Sequence, residues 1–181
     1  MKSHIFAFLF ICALTLVVGC GDAANEPTAN KGQATTADPN EIIIGSFPQK
    51  MLENGEPSHI TVQHLLIAFE GSVPGKSVTR TREEAETLAK KLFEEAKSGG
   101  DFDLMIEKNT DDSPPGIYHM ANFGQQADMN NPIPSRMVFA RGNMVGAFGN
   151  VGFPLKVGEF GLATYDPEES KYGWHIIKRL Q

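Results

Sequence analysis

Ile60-Thr-Val-Gln-His-Leu-Leu-Ile67 and Gly173-Trp-His-Ile-Ile177 are the two most strand-like runs of the chain, and each contains a histidine. Successive side chains of a strand point to opposite faces, so a polar residue inside an apolar run needs a partner on its own face. If the first and last strands of the fold pair, His64 and His175 face each other at the centre of a sheet. This pair of titratable rings is the strongest indication of a functional site.

The first 20 residues have the pattern of an export signal. Lys2 is followed by an apolar stretch of 14 residues, Ile5 to Val18, which is short for a membrane span. The residues Val17-Val18-Gly19-Cys20 resemble a bacterial lipobox. They predict a signal peptide of residues 1–19 and a lipid on Cys20, with an ordinary secretory signal or a short anchor as the alternatives. The expected location is therefore extracytoplasmic, lipid-anchored on the periplasmic side of a bacterial membrane, with the outer membrane as one option.

Cysteine and charge content exclude several classes of function. Cysteine occurs only at positions 12 and 20, so the exported body has no disulfide, no thiolate nucleophile and no cysteine-based metal site. Removing Lys2 from the 16 basic residues leaves 15 against 22 acidic ones, a formal charge of −7. This balance argues against nucleic acid as a partner, because neutralising phosphates requires a basic face.

The sequence divides into a linker over residues 20–57 and one folded domain over residues 58–181. The start of the linker is small and polar, which predicts a flexible tether. Thr81 and Glu84 form a capping box at the start of the clearest helix, Thr81–Lys97. Further helices are expected after Asp101 and over residues 144–151, and strands over residues 60–69, 120–123, 160–165 and 172–180. This order of elements predicts an α+β domain with a small, largely antiparallel sheet.

Eight segments in order resemble the parvulin-type peptidyl-prolyl cis-trans isomerases, and they cover nearly all of residues 58–181. The resemblance implies a four-stranded, largely antiparallel sheet surrounded by about three to four helices, with a shallow proline site on its exposed face. It implies no cofactor and no metal. The segments are His64-Leu-Leu-Ile67, Thr81-Arg-Glu-Glu-Ala85, Ser98-Gly-Gly-Asp-Phe102, Arg141-Gly-Asn-Met-Val145, Phe148, Phe153-x-Leu155, Gly158-Glu159 and Gly173-x-His-Ile-Ile177.

The resemblance also assigns roles to individual residues. His64 and His175 match the central histidine pair of the family, and Asp112 matches a position where members carry Cys or Asp, with Asp111 as the alternative. Thr164 matches the threonine of the penultimate strand. The expected partners are proline-containing unfolded or extended polypeptides. The residues matching the proline pocket are Met144, Phe148 and Phe153, the last as a further wall or a core residue.

Such a site needs no covalent intermediate. Rotation about a peptide bond is opposed by about 18–20 kcal/mol, because the nitrogen lone pair is shared with the carbonyl. A catalyst need only favour the twisted state in which this resonance is lost. The histidines are therefore expected to have a structural and electrostatic role, each holding the other's tautomer, and proton transfer is not required.

Three departures from the family pattern leave alternatives open. Residues 69–78 contain one lysine and one glutamate, so no preference for phosphorylated substrates is expected. An added stretch, residues 125–140, lies near the expected site and is either a lid or an obstruction. The hairpin before the last strand is enlarged by residues 166–171 and followed by Tyr172.

The alternative function is a parvulin-shaped chaperone or scaffold that binds extended peptides without catalysis. Weaker alternatives are a metal site of His64, His175 and Asp112, and a catalytic triad using Ser113.

Overall fold

The structure is a computed structural model that describes residues 50–181. The predicted signal peptide, Cys20 and most of the linker therefore lie outside the described residues. Three α-helices and five strands follow the order β-α-α-β-β-α-β-β. They are β1 (His59–Ile67), α1 (Arg82–Lys97), α2 (Phe102–Asn109), β2 (Ile117–Ala121), β3 (Val138–Ala140), α3 (Gly146–Gly152), β4 (Phe160–Ala163) and β5 (Trp174–Arg179).

The five strands form one sheet with the spatial order β3-β2-β1-β5-β4. The first and last strands of the chain, β1 and β5, pair antiparallel at its centre, which is the condition for the two histidines to meet. The pairs β1–β2 and β4–β5 are also antiparallel, whereas β3 runs parallel to β2. The α+β class is confirmed, and the sheet has one strand more than the four expected. The additional strand, β3, comes from the stretch 125–140.

Helices α1 and α2 cover one face of the sheet. The capping box of α1 is present: Thr81 Oγ1 accepts from the Glu84 N–H at 3.2 Å, and Glu84 Oε2 accepts from the Thr81 N–H at 2.8 Å. Asp101 caps α2 by accepting from the Leu104 N–H at 3.1 Å. Both helices bury their apolar stripe against alternate residues of the central strands. This core contains Leu65, Ile67, Ala85, Ala89, Leu92, Ala96, Phe102, Met105, Ile106, Trp174 and Ile176.

Helix α3 packs on the opposite face of the sheet. Here the alternate residues of β1 and β5 join a second core of Ile60, Val62, Met120, Phe148, Phe153, Ala163 and Ile177. This helix is shorter than the sequence predicts. Residues Arg141–Asn143 form a separate 3-10 helical turn, so Met144 precedes the helix instead of lying on its first turn.

Strand β2 begins at Ile117, three residues before the expected position. His119 is therefore buried in mid-strand. Its Nδ1 lies 2.9 Å from Thr61 Oγ1, and its Nε2 lies 3.1 Å from the carbonyl oxygen of Ser135. A buried polar ring is retained in such a place because both of its nitrogens have partners.

Residues 50–57 belong to the folded part of the chain. Glu56 accepts hydrogen bonds from Arg141 Nη1 at 2.7 Å and from Asn122 Nδ2 at 3.0 Å. The Arg141 guanidinium also lies 4.5 Å from the ring centre of Phe153 and 4.8 Å from that of Phe123. A buried cation with carboxylate, amide and aromatic partners ties the start of the domain to the base of α3. Among residues 50–181, no helix is long and apolar enough to cross a bilayer.

Candidate active site

The register of β1 and β5 places the two central histidines on one face of the sheet. His64 lies opposite Ile177 and His175 lies opposite Leu66, so the two rings are diagonal neighbours. His175 Nδ1 lies 3.1 Å from His64 Nε2, and the ring centres are 5.0 Å apart. The meeting of the first and last strands thus produces the histidine pair suggested by the sequence.

Burial keeps both histidines uncharged at neutral pH. Each residue is 4% exposed. Loss of hydration lowers the pKa of His64 to about 3. Burial, followed by repulsion from His64, lowers the pKa of His175 to about 3, although Asp112 opposes this shift. Two neutral rings can share only one proton along their common hydrogen bond, so the tautomer of one ring determines that of the other.

A segment running along β1 brings Asp112 beside the histidines. The Asp111 N–H donates to the Leu66 carbonyl at 2.9 Å, and Asp112 Oδ2 then lies 3.8 Å from His64 Nδ1. The neighbouring carboxylate of Asp111 faces elsewhere: it accepts from the Ala68 N–H and pairs with Arg80. Of the two aspartates considered from the sequence, Asp112 is the one directed at the histidine pair.

A cavity of about 270 Å³ opens above the histidines. Its apolar wall includes Phe148, whose ring meets that of His64 edge-on at 5.0 Å, and the half-buried Met144. The sheet and the loops after β1 and before β5 supply the remaining walls. The lining residues are His64, Leu66, Val73, Lys76, Asp111, Asp112, Tyr118, Asn143, Met144, Val145, Phe148, Tyr172 and His175.

Two residues suggested by the sequence do not line this cavity. Phe153 is 1% exposed and packs in the core next to the Arg141 guanidinium. Thr164 follows the end of β4 and is exposed. Its neighbour Ala163 is the residue opposite His175, and alternation along a strand directs the next side chain to the other face.

Tyr118 is a cavity residue that the sequence analysis missed. It lies opposite Val62 in the β1–β2 register and therefore on the face that carries His64. Its hydroxyl donates to Asp112 Oδ2 at 2.7 Å, and its ring centre lies 5.6 Å from that of His64. Tyr118 and Met120 are alternate residues of β2 and share one face of the sheet. A strand assigned from Ile117 onwards would therefore have placed Tyr118 on the face of the histidine pair.

The added stretch does not obstruct the cavity. None of residues 125–140 lines it. The stretch contributes β3, whose Phe139 ring centre lies 5.6 Å from that of Tyr118, and so it supports the cavity wall from behind. The enlarged hairpin does reach the rim, where the Tyr172 carbonyl accepts from Ser72 Oγ at 2.9 Å.

The weaker alternatives find no support in the geometry. Within residues 50–181, no group of three or more His, Cys, Asp or Glu side chains is placed to hold a metal ion. Ser113 is exposed and does not line the cavity. The cavity therefore combines an apolar wall, one carboxylate directed at a neutral histidine pair and the Lys76 side chain at its rim.

The sequence model of the PPIC-type PPIase domain matches residues 49–181. The chain belongs to this family. The described region is thus a PPIC-type PPIase domain of the parvulin type, and the expected family and fold class are confirmed. No curated protein matches the sequence.

Three solved parvulin-like structures are similar to the chain. The peptidyl-prolyl isomerase ESS1 from Candida albicans is 24% identical with a TM-score of 0.50, and the match covers 73% of this chain and 66% of that one. TbPIN1 is 21% identical (TM-score 0.46, covering 68% and 98% of the two chains). PrsA from Bacillus subtilis is 22% identical (TM-score 0.39, covering 68% and 35%). The likeness to the Candida protein supports the fold. The chain spans just under two thirds of that protein's length.

Gly116 provides a test of how the site is positioned. Its φ is +69°, it contacts the backbone of His64, and a Cβ here would collide with the His64 carbonyl oxygen. We expect Gly116→Ala to destabilise the domain by more than the roughly 1–3 kcal/mol of a left-handed non-glycine residue. Gly124→Ala is the matched control, because Gly124 has a φ of +72° but open space around its Cβ position. If chemical denaturation shows equal losses of unfolding free energy for the two variants, the close approach of Gly116 to the His64 backbone is contradicted.

Proposed function

We propose that this chain is an exported, lipid-anchored peptidyl-prolyl isomerase that acts on proline-containing segments of unfolded or extended polypeptides near a membrane. The observation that carries the catalytic part of this proposal is the cavity of Met144 and Phe148 above the buried His64–His175 pair. The sequence pattern of residues 1–20 supports the anchor and the export.

The apolar wall is the part of the site that suits a proline ring. Transfer of a pyrrolidine ring from water to an apolar surface is favourable by about 25 cal/mol for each Å² buried. When the ring is held in place, the preceding carbonyl can rotate about the prolyl bond. The substrate carbonyl then lies towards the polar end of the cavity, where Asp112 and the histidines are located.

The carboxylate can favour the twisted state electrostatically. Resonance in a planar peptide bond places negative charge on the carbonyl oxygen, and this charge diminishes when the bond twists. A negative group held close to that oxygen therefore disfavours the planar state more than the twisted one, and the interaction is strong where water is excluded. Asp112, held by Tyr118 beside neutral His64, is the group that fulfils this role.

Exchange NMR on a short proline peptide tests the catalytic part. The detergent-solubilised full chain should accelerate cis-trans exchange of the prolyl bond, and Asp112→Ala should reduce kcat/KM by about 100-fold, as removal of a preorganised electrostatic group does. Asp103→Ala is the control, because Asp103 is on α2 and hydrogen-bonds to Gln63 on the helix-covered face. Peptide line broadening without faster exchange would instead indicate the non-catalytic peptide-binding scaffold.

The anchor requires a separate test. Cells expressing the chain and supplied with a labelled fatty acid should incorporate the label into the wild-type protein but not into a Cys20→Ala variant. The wild-type protein should also fractionate with membranes. A labelled Cys20→Ala variant, or a wild-type protein without label, would refute the lipid anchor while leaving the isomerase proposal intact.

A further inference from the structure

Tyr118 lies close to the histidine pair but makes its hydrogen bond to Asp112 and not to either ring. It is half-buried on β2, and its ring centre lies 5.6 Å from that of His64 and 5.8 Å from that of Phe148. The ring of Phe139, which does not line the cavity, lies with its centre 5.6 Å from that of Tyr118. The ring is thus fixed by aromatic neighbours, and its hydroxyl has a defined position at the edge of the cavity.

The hydroxyl of Tyr118 donates a hydrogen bond to Asp112. The distance from Oη to Asp112 Oδ2 is 2.7 Å. Burial, and then the hydrogen bond and the charge of Asp112, raise the pKa of the Tyr118 hydroxyl. The phenol therefore keeps its proton and acts as a donor at all physiological pH values. A bond between a hydroxyl and a carboxylate belongs to the stronger class of protein hydrogen bonds.

The same carboxylate oxygen is the one directed at the histidines. Asp112 Oδ2 lies 3.8 Å from His64 Nδ1, a ring nitrogen that is buried and has no hydrogen-bond partner among the described residues. A carboxylate can only accept, so it favours a proton on Nδ1 of neutral His64. His64 Nε2 then carries the lone pair and must receive the proton of His175 Nδ1, 3.1 Å away.

We propose that Tyr118 is a positioning residue of the isomerase site, whose hydroxyl holds the Asp112 carboxylate beside His64 and thereby selects the Nδ1–H tautomer in both central histidines. The Asp112 side chain is 33% exposed. Without the hydroxyl, this side chain can rotate towards water, and the preference for one tautomer is lost. The effect on the rate rests on the function proposed above, whereas the effect on the tautomers does not.

The test compares Tyr118→Phe with wild type. The variant keeps the ring and removes only the hydroxyl. Nitrogen-15 NMR of the imidazoles in the full chain should show single Nδ1–H tautomers for His64 and His175 in wild type and a mixture in the variant. In exchange NMR, kcat should fall about tenfold while KM changes less than twofold, because the hydroxyl acts on the carboxylate and not on the proline ring.

Two further variants make the result specific. Tyr165→Phe is the matched control, since Tyr165 packs against Phe69 and Trp174 in the core on the other face. It should leave the tautomers and the rate unchanged. Adding Tyr118→Phe to Asp112→Ala should cause no further loss of rate, because the two residues act as one unit.

Each outcome has a definite meaning. Unchanged tautomers in Tyr118→Phe, or losses of rate that add fully to those of Asp112→Ala, would overturn the positioning role. If Tyr118→Phe changes the tautomers but the wild-type chain has no isomerase activity, the positioning role is retained and the proposed function is refuted.

Discussion

Between pH 6.5 and pH 5 the free energy of unfolding should fall by roughly 2–3 kcal/mol for each pH unit. The cause is the buried pair His64 and His175, whose pKa values in the folded domain lie at about 3. In the unfolded chain their pKa values return to about 6.5. Over this pH range only the unfolded state takes up the two protons, so acid favours unfolding. Burial also lowers the pKa of His119, which adds to the slope.

Chemical denaturation at several pH values between 7.5 and 5 measures this effect. The variant His64→Gln should have a slope shallower by about 1.4 kcal/mol per pH unit, since one proton-binding group is removed. Ile177→Val is the control: Ile177 is fully buried beside His64, so the variant should lose about 1 kcal/mol at every pH without a change in slope. If the free energy of unfolding of the wild type does not change with pH, the two rings take up protons in the folded domain as readily as in the unfolded chain.

The same pKa shifts predict the shape of the pH–rate profile. Because neither central histidine gains a proton in the folded domain above pH 5, kcat/KM should show no inflection from their titration between pH 5.5 and 8. An isomerase that used one of these rings as a general acid or base would show such an inflection, since its rate would follow the charged or neutral fraction. A flat profile therefore supports a role for the histidines in holding the site together.

The central part of the fold was predictable because local and long-range signals agree there. The capping box of Thr81, the apolar stripe of α1 and the strand-like runs around His64 and His175 each predict one structure, and pairing of the two runs brings the two histidine rings together. The order of motifs then predicted the family, and with it the cavity residues Met144, Phe148 and Asp112.

The rest depended on contacts that a linear pattern does not show. Residues 125–140 contain no long apolar alternation, and β3 is a strand of three residues that exists only because β2 provides an edge for it. Tyr118 was missed because the second strand was expected over residues 120–123, whereas β2 begins at Ile117. Thr164 was assigned by its place in the sequence. The strand ends one residue earlier, at Ala163, and the Thr164 side chain does not line the cavity.

Truncation of the apolar wall should strongly reduce activity. We expect Met144→Ala to lower kcat/KM by about 10- to 200-fold, the usual range for removing apolar contacts from a binding pocket. Met144 suits this test because it is half-buried at the cavity and lies outside the helix. Phe148 is less suitable: it is 2% exposed within the core, so its truncation would cost about 3–5 kcal/mol of stability as well.

The kinetic parameter that changes identifies what the wall contributes. A proline ring is held equally in the planar and the twisted states, so Met144→Ala should raise KM and leave kcat nearly unchanged. Asp112→Ala should do the opposite, because its charge distinguishes the two states. Met129→Ala is the control, since Met129 is 40% exposed in the added stretch and does not line the cavity. A fall in kcat alone for Met144→Ala would mean that the wall compresses the substrate towards the twisted state and does more than bind its ring.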